Sequence, residues 1–255
     1  MVRSAAVQRA TGQRVLALVG WAGALLSGIG DVLILGRPAS GGDFDQAVGM
    51  VPPHIDADKK WRSFWNGAAL PARRIQAGTL TGDVGIGLLQ WLAMRGISRT
   101  IPAGRERSIA SASATAFAVS GVLTHQCCAM VILAYQRAME EARESDSSAR
   151  RSPRSATPLL AVSAAATLGA LAVYSASLTV AALRRRDSAP AWWSVVTPFP
   201  CVMATLLTFG RLPAPVGGFA RPASISIGLM TYFAITAASP QRLSDRLAPE
   251  PTREA

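Results

Sequence analysis

Six long apolar stretches alternate with charged connections along the chain, at approximately residues 15–36, 76–95, 108–136, 157–183, 192–210 and 219–238. A bilayer core needs about 20 mainly apolar residues per helix. The pattern therefore predicts an all-α fold, a polytopic membrane bundle of six transmembrane helices. It forms a single domain over residues 1–240, followed by a disordered tail over 241–255. The first run follows Arg3, Arg9 and Arg14, as a signal peptide's apolar region would. It is too long for that and carries Asp31, so it reads as a retained helix. The third run is long enough to project past the membrane over residues 135–143. Residues 37–75 form the longest connection. Within it, Lys59-Lys60-Trp61-Arg62-Ser63-Phe64-Trp65 reads as an interfacial segment that covers the nearby helix ends. Trp192-Trp193 is expected to anchor the start of the fifth helix. Thr197-Pro198-Phe199-Pro200-Cys201 is expected to break or bend that helix about a third of the way in, because proline frees a carbonyl. Residues 211–218, Arg-Leu-Pro-Ala-Pro-Val-Gly-Gly, read as a rigid turn before the sixth.

Composition supports the membrane reading. Half of the 255 residues are apolar and only 16% are charged, against about 25% in a soluble domain. Too few charges remain to clothe a water-facing surface of this size. The net charge of +11 does not point to nucleic acid. The basic residues sit in short groups beside apolar runs, as in Arg184-Arg185-Arg186, which is the pattern of headgroup anchoring. Membrane lipids are the expected partners and nucleic acid is not. The 26 basic residues divide evenly between the two faces of a six-helix layout. The short, dense clusters at 95–107 and 184–186 fall on the face that carries both termini. Short clusters count most in setting orientation, so the expected location is the plasma membrane with both termini cytoplasmic. Cys127, Cys128 and Cys201 lie inside apolar stretches without metal-finger spacing, and neighbouring cysteines make a poor disulfide.

Small residues recur at helical spacing, in Gly20, Ala24 and Gly28 and in Gly78-x-x-x-Gly82. Such stripes let helices approach closely in lipid. Three ionisable residues fall well inside the spans, where charge is costly and usually functional. Asp31 shares a stripe with Gly23 and Ser27, Asp83 with Thr79 and Gly87, and His125 with Gly121 and Ala129. Each is expected to face other helices. At 1.5 Å per residue, Asp31 and His125 lie roughly 25 Å from the terminal face and Asp83 roughly 10 Å from the opposite face. One polar pocket toward the face opposite the termini follows. Its candidate catalytic residues are Asp31, Asp83 and His125. Its candidate ligand-binding residues are Arg73, Arg74, Ser224 and Ser226. Two Asp and one His can bind a divalent cation, but the chain has only two histidines and no His pair at helical spacing, so neither a metal nor another cofactor is expected. The plainer reading pairs Asp31 and Asp83 with Arg37, Arg73 or Arg74 to hold the bundle together. His54, beside Asp56 and Asp58, reads as a solvated loop residue. Tyr174 and Tyr232 read as packing residues.

Gly30-Asp31, Arg74-x-x-x-Gly78, His125 and Leu212-Pro-Ala-Pro-Val-Gly-Gly218 together resemble an uncharacterised family of six-helix bacterial integral membrane proteins. The resemblance spans most of the chain and implies the fold; the family brings no established activity. The Ala- and Arg-rich composition is what a high-GC bacterial genome produces. Three classes of function fit the pocket. It can do acid–base chemistry on a lipid or isoprenoid-like substrate, since removal from water favours a proton-donating carboxyl. It can serve a small proton-coupled carrier. It can bind a hydrophobic small molecule in a scaffold without chemistry.

Overall fold

Small residues decide how the helices meet. The computed structural model describes residues 2–36, 70–144, 157–184, 196–209, 211–213 and 216–238. Among them are seven helices and no strand. Helix α1 spans Val2–Leu35. Helix α2 is one rod over 72–98, α-helical at Ala72–Asp83, π-helical at Val84–Gln90 and α-helical again at Trp91–Ser98. Helix α3 spans Arg105–Glu144, α4 Thr157–Leu183, α5 Pro198–Phe209, α6 Val216–Ala220 and α7 Ser224–Ala238.

Helices α1 and α2 lie backbone to backbone. A Cβ added to Gly30 would stand 2.6 Å from Gly78 O, and one added to Gly23 would stand 2.8 Å from Gly85 O. Descending numbers on α1 meet ascending numbers on α2, so the two helices are antiparallel. On another side of α1, Gly20 takes the ring of Phe233 and Gly28 takes Ser226, which seats α7. Helix α3 packs along α4, and α5 packs between α4 and α7. The core holds Phe117, Leu171, Tyr174, Met94 and Phe233. Tyr174 donates its hydroxyl to Met94 O at 2.9 Å, and Trp91 donates Nε1–H to Thr115 Oγ1 at 3.1 Å. Both polar tips are thereby satisfied inside apolar surroundings. At the end carrying Ser98 and Leu183, Arg184 pairs with Glu106, and the Arg95 guanidinium lies 5.4 Å from the centre of the Trp91 ring.

The outward surface is apolar. Leu80, Val84 and Leu88 project from α2, Val119, Leu123 and Met130 from α3, and Leu159 and Val162 from α4. Water rarely meets such contiguous surface on a soluble protein. Among the described residues, three stretches are long and apolar enough to cross a membrane: Ala10–Leu35, Arg105–Arg137 and Pro158–Leu183. Pro198–Phe209 and Ser224–Ala238 are apolar but shorter. At 1.5 Å per residue they reach about 18 and 22 Å, less than the roughly 30 Å of a hydrocarbon core.

Several boundaries have local causes. At the two prolines of the fifth run, α5 begins at Pro198 after non-helical residues 196–197, and the part of the run before them, 192–195, lies outside the described residues. Proline fits a first turn because its missing N–H would have had no partner there. The Phe199 N–H is instead met by Ser175 Oγ of α4 at 2.9 Å. The sixth run is divided at 221–223, beside Pro222, into α6 and α7. Arg221 closes this corner, its Nε and Nη2 donating to Leu212 O at 3.1 and 2.6 Å. Helix α3 runs 40 residues to Glu144 and so includes the extension expected over 135–143. The interfacial segment at 59–65, His54, Trp192-Trp193 and the tail after residue 240 lie outside the described residues.

Candidate functional site

The stripe of α1 that faces the bundle runs Gln13, Ala17, Gly20, Ala24 and Ser27, and Asp31 continues it. Asp31 is met from two other helices. Its Oδ1 lies 2.9 Å from His125 Nε2 of α3, and its Oδ2 accepts the Ser226 hydroxyl of α7 at 2.8 Å. The Ser27 and Ser226 hydroxyls lie 3.3 Å apart. One carboxyl thus ties three helices together, near the end of α1 opposite its N-terminus.

His125 is 7% exposed. The Nδ1–Cε1 edge of its ring rests on Gly82, and a Cβ at residue 82 would overlap both atoms. The imidazole occupies the space that any side chain at 82 would fill. Nδ1 finds no hydrogen-bond partner among the described residues. In the neutral imidazole, with Asp31 accepting from Nε2–H, Nδ1 carries a lone pair.

Asp83 is the next residue along α2, about 100° further round the helix. This rotation takes it off the inner face. It is half-buried, and its Oδ2 accepts from Gln126 Nε2 of α3 at 2.5 Å. Gln126 is exposed. Asp83 therefore sits in the seam between α2 and α3, and the stripe it shares with Thr79 and Gly87 faces another helix as expected: Thr79 is buried, and a Cβ at Gly87 would stand 2.8 Å from Val122 of α3. The close approach of Gly78, Gly82 and Gly85 to α1 sets which face of α2 points inward. Asp83 Oδ1 is buried without a partner among the described residues. It lies within electrostatic range of His125. The seam and the buried pair are thus adjacent, separated by Gly82.

Among the described residues, no arginine pairs with Asp31 or Asp83. Arg74 Nη2 donates to Val32 O at 3.1 Å and to Gly36 O at 2.6 Å. It caps the last turn of α1, where free carbonyls and the negative dipole end favour a cation. Arg73 is exposed, and Arg37 lies outside the described residues. Ser224 Oγ bonds back to Ala220 O and Arg221 O at 2.9 and 2.8 Å, and its carbonyl accepts from Thr205 Oγ1 at 2.7 Å. It shapes the corner before α7. Of the four expected ligand-binding residues, Ser226 is the one that touches Asp31.

Three residues outside the expected set matter here. Gln126 is the immediate neighbour of His125, and an amide inside an apolar run was the available signal. Gly82 serves as a cradle rather than only as a packing residue. Gln90 ends the π-helical segment, is 0% exposed, and leaves both amide atoms without partners among the described residues. Among the described residues there is no group of three His, Cys, Asp or Glu side chains placed to hold a metal ion.

The fold and site define a class: an all-α protein with three candidate membrane-crossing helices, enclosing a carboxylate–imidazole pair. The chain belongs to a family of unknown function, DUF6796, which matches residues 11–242. No curated protein and no solved structure matches it.

Proposed function

We propose that the chain is a multi-pass plasma-membrane protein that does acid–base chemistry inside the bilayer on a lipid or isoprenoid-like substrate. In this reading α2, α5 with the residues before it, and α7 complete a six-span bundle with both termini cytoplasmic. The observation that carries the proposal is the contact of His125 Nε2 with Asp31 Oδ1, with Nδ1 left bare. Asp31 holds one tautomer and stabilises the imidazolium once it forms. Nδ1 then takes a proton from a bound group and returns it later. Ser226 keeps the carboxylate aimed at His125, and Asp83 serves as the second proton-handling group beside it. A structural ion pair has no need of a bare, buried Nδ1, since an unmet polar atom costs about 1–3 kcal/mol.

The test is turnover. The purified protein, reconstituted in bilayers made from its host's lipid extract, should deplete one lipid class and generate another. His125→Gln and Asp31→Asn should stop this while the protein still folds. Full turnover by both variants would refute the reading.

A proton-coupled carrier is the second reading, favoured by Gln90. Its unpartnered amide lies further along α2 from Asp83, toward the end carrying Arg95. Waters bridging Gln90 would extend a polar path beyond the pocket. Proton flux in sealed vesicles without lipid turnover would select this reading.

A further inference from the structure

The seam between α2 and α3 is polar at one point and apolar around it. Leu80, Val84 and Leu88 line the α2 side, and Val119, Leu123 and Met130 the α3 side. Between them lie the Asp83 carboxyl and the Gln126 amide, joined at 2.5 Å. A carboxyl on a hydrocarbon-facing surface is costly. It is retained here next to an enclosed imidazole. Behind it, Asp83 Oδ1 and His125 Nδ1 both lack partners among the described residues. A carboxylate oxygen and the Nδ1 of a neutral imidazole are both acceptors, and in that state they take a donor from outside the described residues.

The donor must reach it from the bilayer. Asp83 lies about 10 Å along α2 from the start of its apolar run at residue 76, inside the headgroup layer's inner edge. At that depth an ammonium carries a heavy desolvation cost, whereas a neutral hydroxyl does not. We infer that the α2–α3 seam is a lateral docking site for a long-chain alcohol. Its hydroxyl donates to Asp83 Oδ1 or His125 Nδ1, and its chain lies along Leu80, Val84 and Leu123. Gln126 holds the other carboxylate oxygen and keeps Oδ1 turned inward. The inference rests on the proposed acid–base reading and names the group on which it acts, an alcohol hydroxyl, and the side from which that group arrives.

The test measures docking without turnover. Full-length protein in phosphatidylcholine nanodiscs is photolabelled with 1-hexadecanol carrying a diazirine in its chain. The methyl ether of the same probe serves as the control. The alcohol should label residues within 80–88 and 119–130, and excess 1-hexadecanol should compete it away. The ether should label about 10-fold less, the loss of one hydrogen bond. Asp83→Leu should lower the alcohol's saturable labelling to the level of the ether. Equal labelling by alcohol and ether in the wild-type protein would overturn the inference and needs no variant to fold. So would efficient dimer formation through Leu123→Cys, which would show a second copy covering the seam. Labelling as expected with no lipid turnover would refute the acid–base reading and leave the docking site standing. Turnover with no difference between alcohol and ether would do the reverse.

Discussion

His125 Nε2 lies 2.9 Å from Asp31 Oδ1, joining residues 94 positions apart on the first and third long helices. The pair is nearly enclosed, so its energetic weight depends on what remains when one partner is removed.

Asp31→Ala leaves His125 Nε2 and the Ser226 hydroxyl without their acceptor. The expected loss is about 3–5 kcal/mol, the cost of breaking a buried charged pair. Asp31→Asn keeps one acceptor and should lose less. Unfolding of the detergent-solubilised protein, followed by circular dichroism, measures both.

Three glycines separate crowding from propensity. Gly82→Ala drives a methyl into the His125 ring, and Gly30→Ala drives one into the Gly78 backbone. Each should destabilise by about 1–3 kcal/mol, the usual cost of overpacking. Gly169 has nothing within 4 Å of an added Cβ. Gly169→Ala should be neutral or stabilise by up to about 1 kcal/mol through its helix propensity. Equal effects at all three positions would contradict the packing described here.

Gln90→Leu replaces a fully buried amide by an apolar side chain of similar length. Both amide atoms lack partners among the described residues, so the substitution should raise stability by about 1–2 kcal/mol. A fall in melting temperature would mean that ordered water satisfies the amide and that the carrier reading gains support.

Reporter fusions test the six-span topology. A reporter at the N-terminus and one placed after Pro240 should report the same compartment. Opposite compartments would require an odd number of crossings and would remove α5 or α7 from the set of spans.

The long helices were legible because a 20-residue apolar run has few alternatives. The convergence of α1, α3 and α7 was suggested by Ser27 standing one turn before Asp31 and by small residues at steps of three and four. That Asp83 faces a helix was legible from its stripe with Thr79 and Gly87; that the helix is α3, with Asp83 in a seam rather than beside Asp31, was not, because that setting is made by tertiary contact of α2 with Gly23 and Gly30. The proline pair marked a boundary without saying of which kind, because proline terminates a helix from inside and begins one from outside. Only the neighbouring Ser175, 24 residues away, distinguishes the two. Arg74 was drawn to carbonyls at the end of α1 rather than to a carboxylate, a competition that no linear pattern displays.

The π-helical segment Val84–Gln90 acts on α2 as a phase shifter. A π turn accommodates one more residue than an α turn, so the two ends of the rod keep separate angular settings. The half before it is locked by glycine contacts that orient Gly82 and Asp83, while the half after it presents Ala93, Met94 and Ile97 to the core. Deleting a single residue within 84–90 would relax the segment to an α-helix with the two halves near their present settings, whereas the same deletion elsewhere in α2 would turn one half by about 100° against the other. Either the apolar core or the acidic group would then face the wrong neighbours. A rod that looks uninterrupted is, in mutational terms, two helices coupled through an adjustable joint, and substitutions on one side of the joint can be accommodated without re-aiming the other.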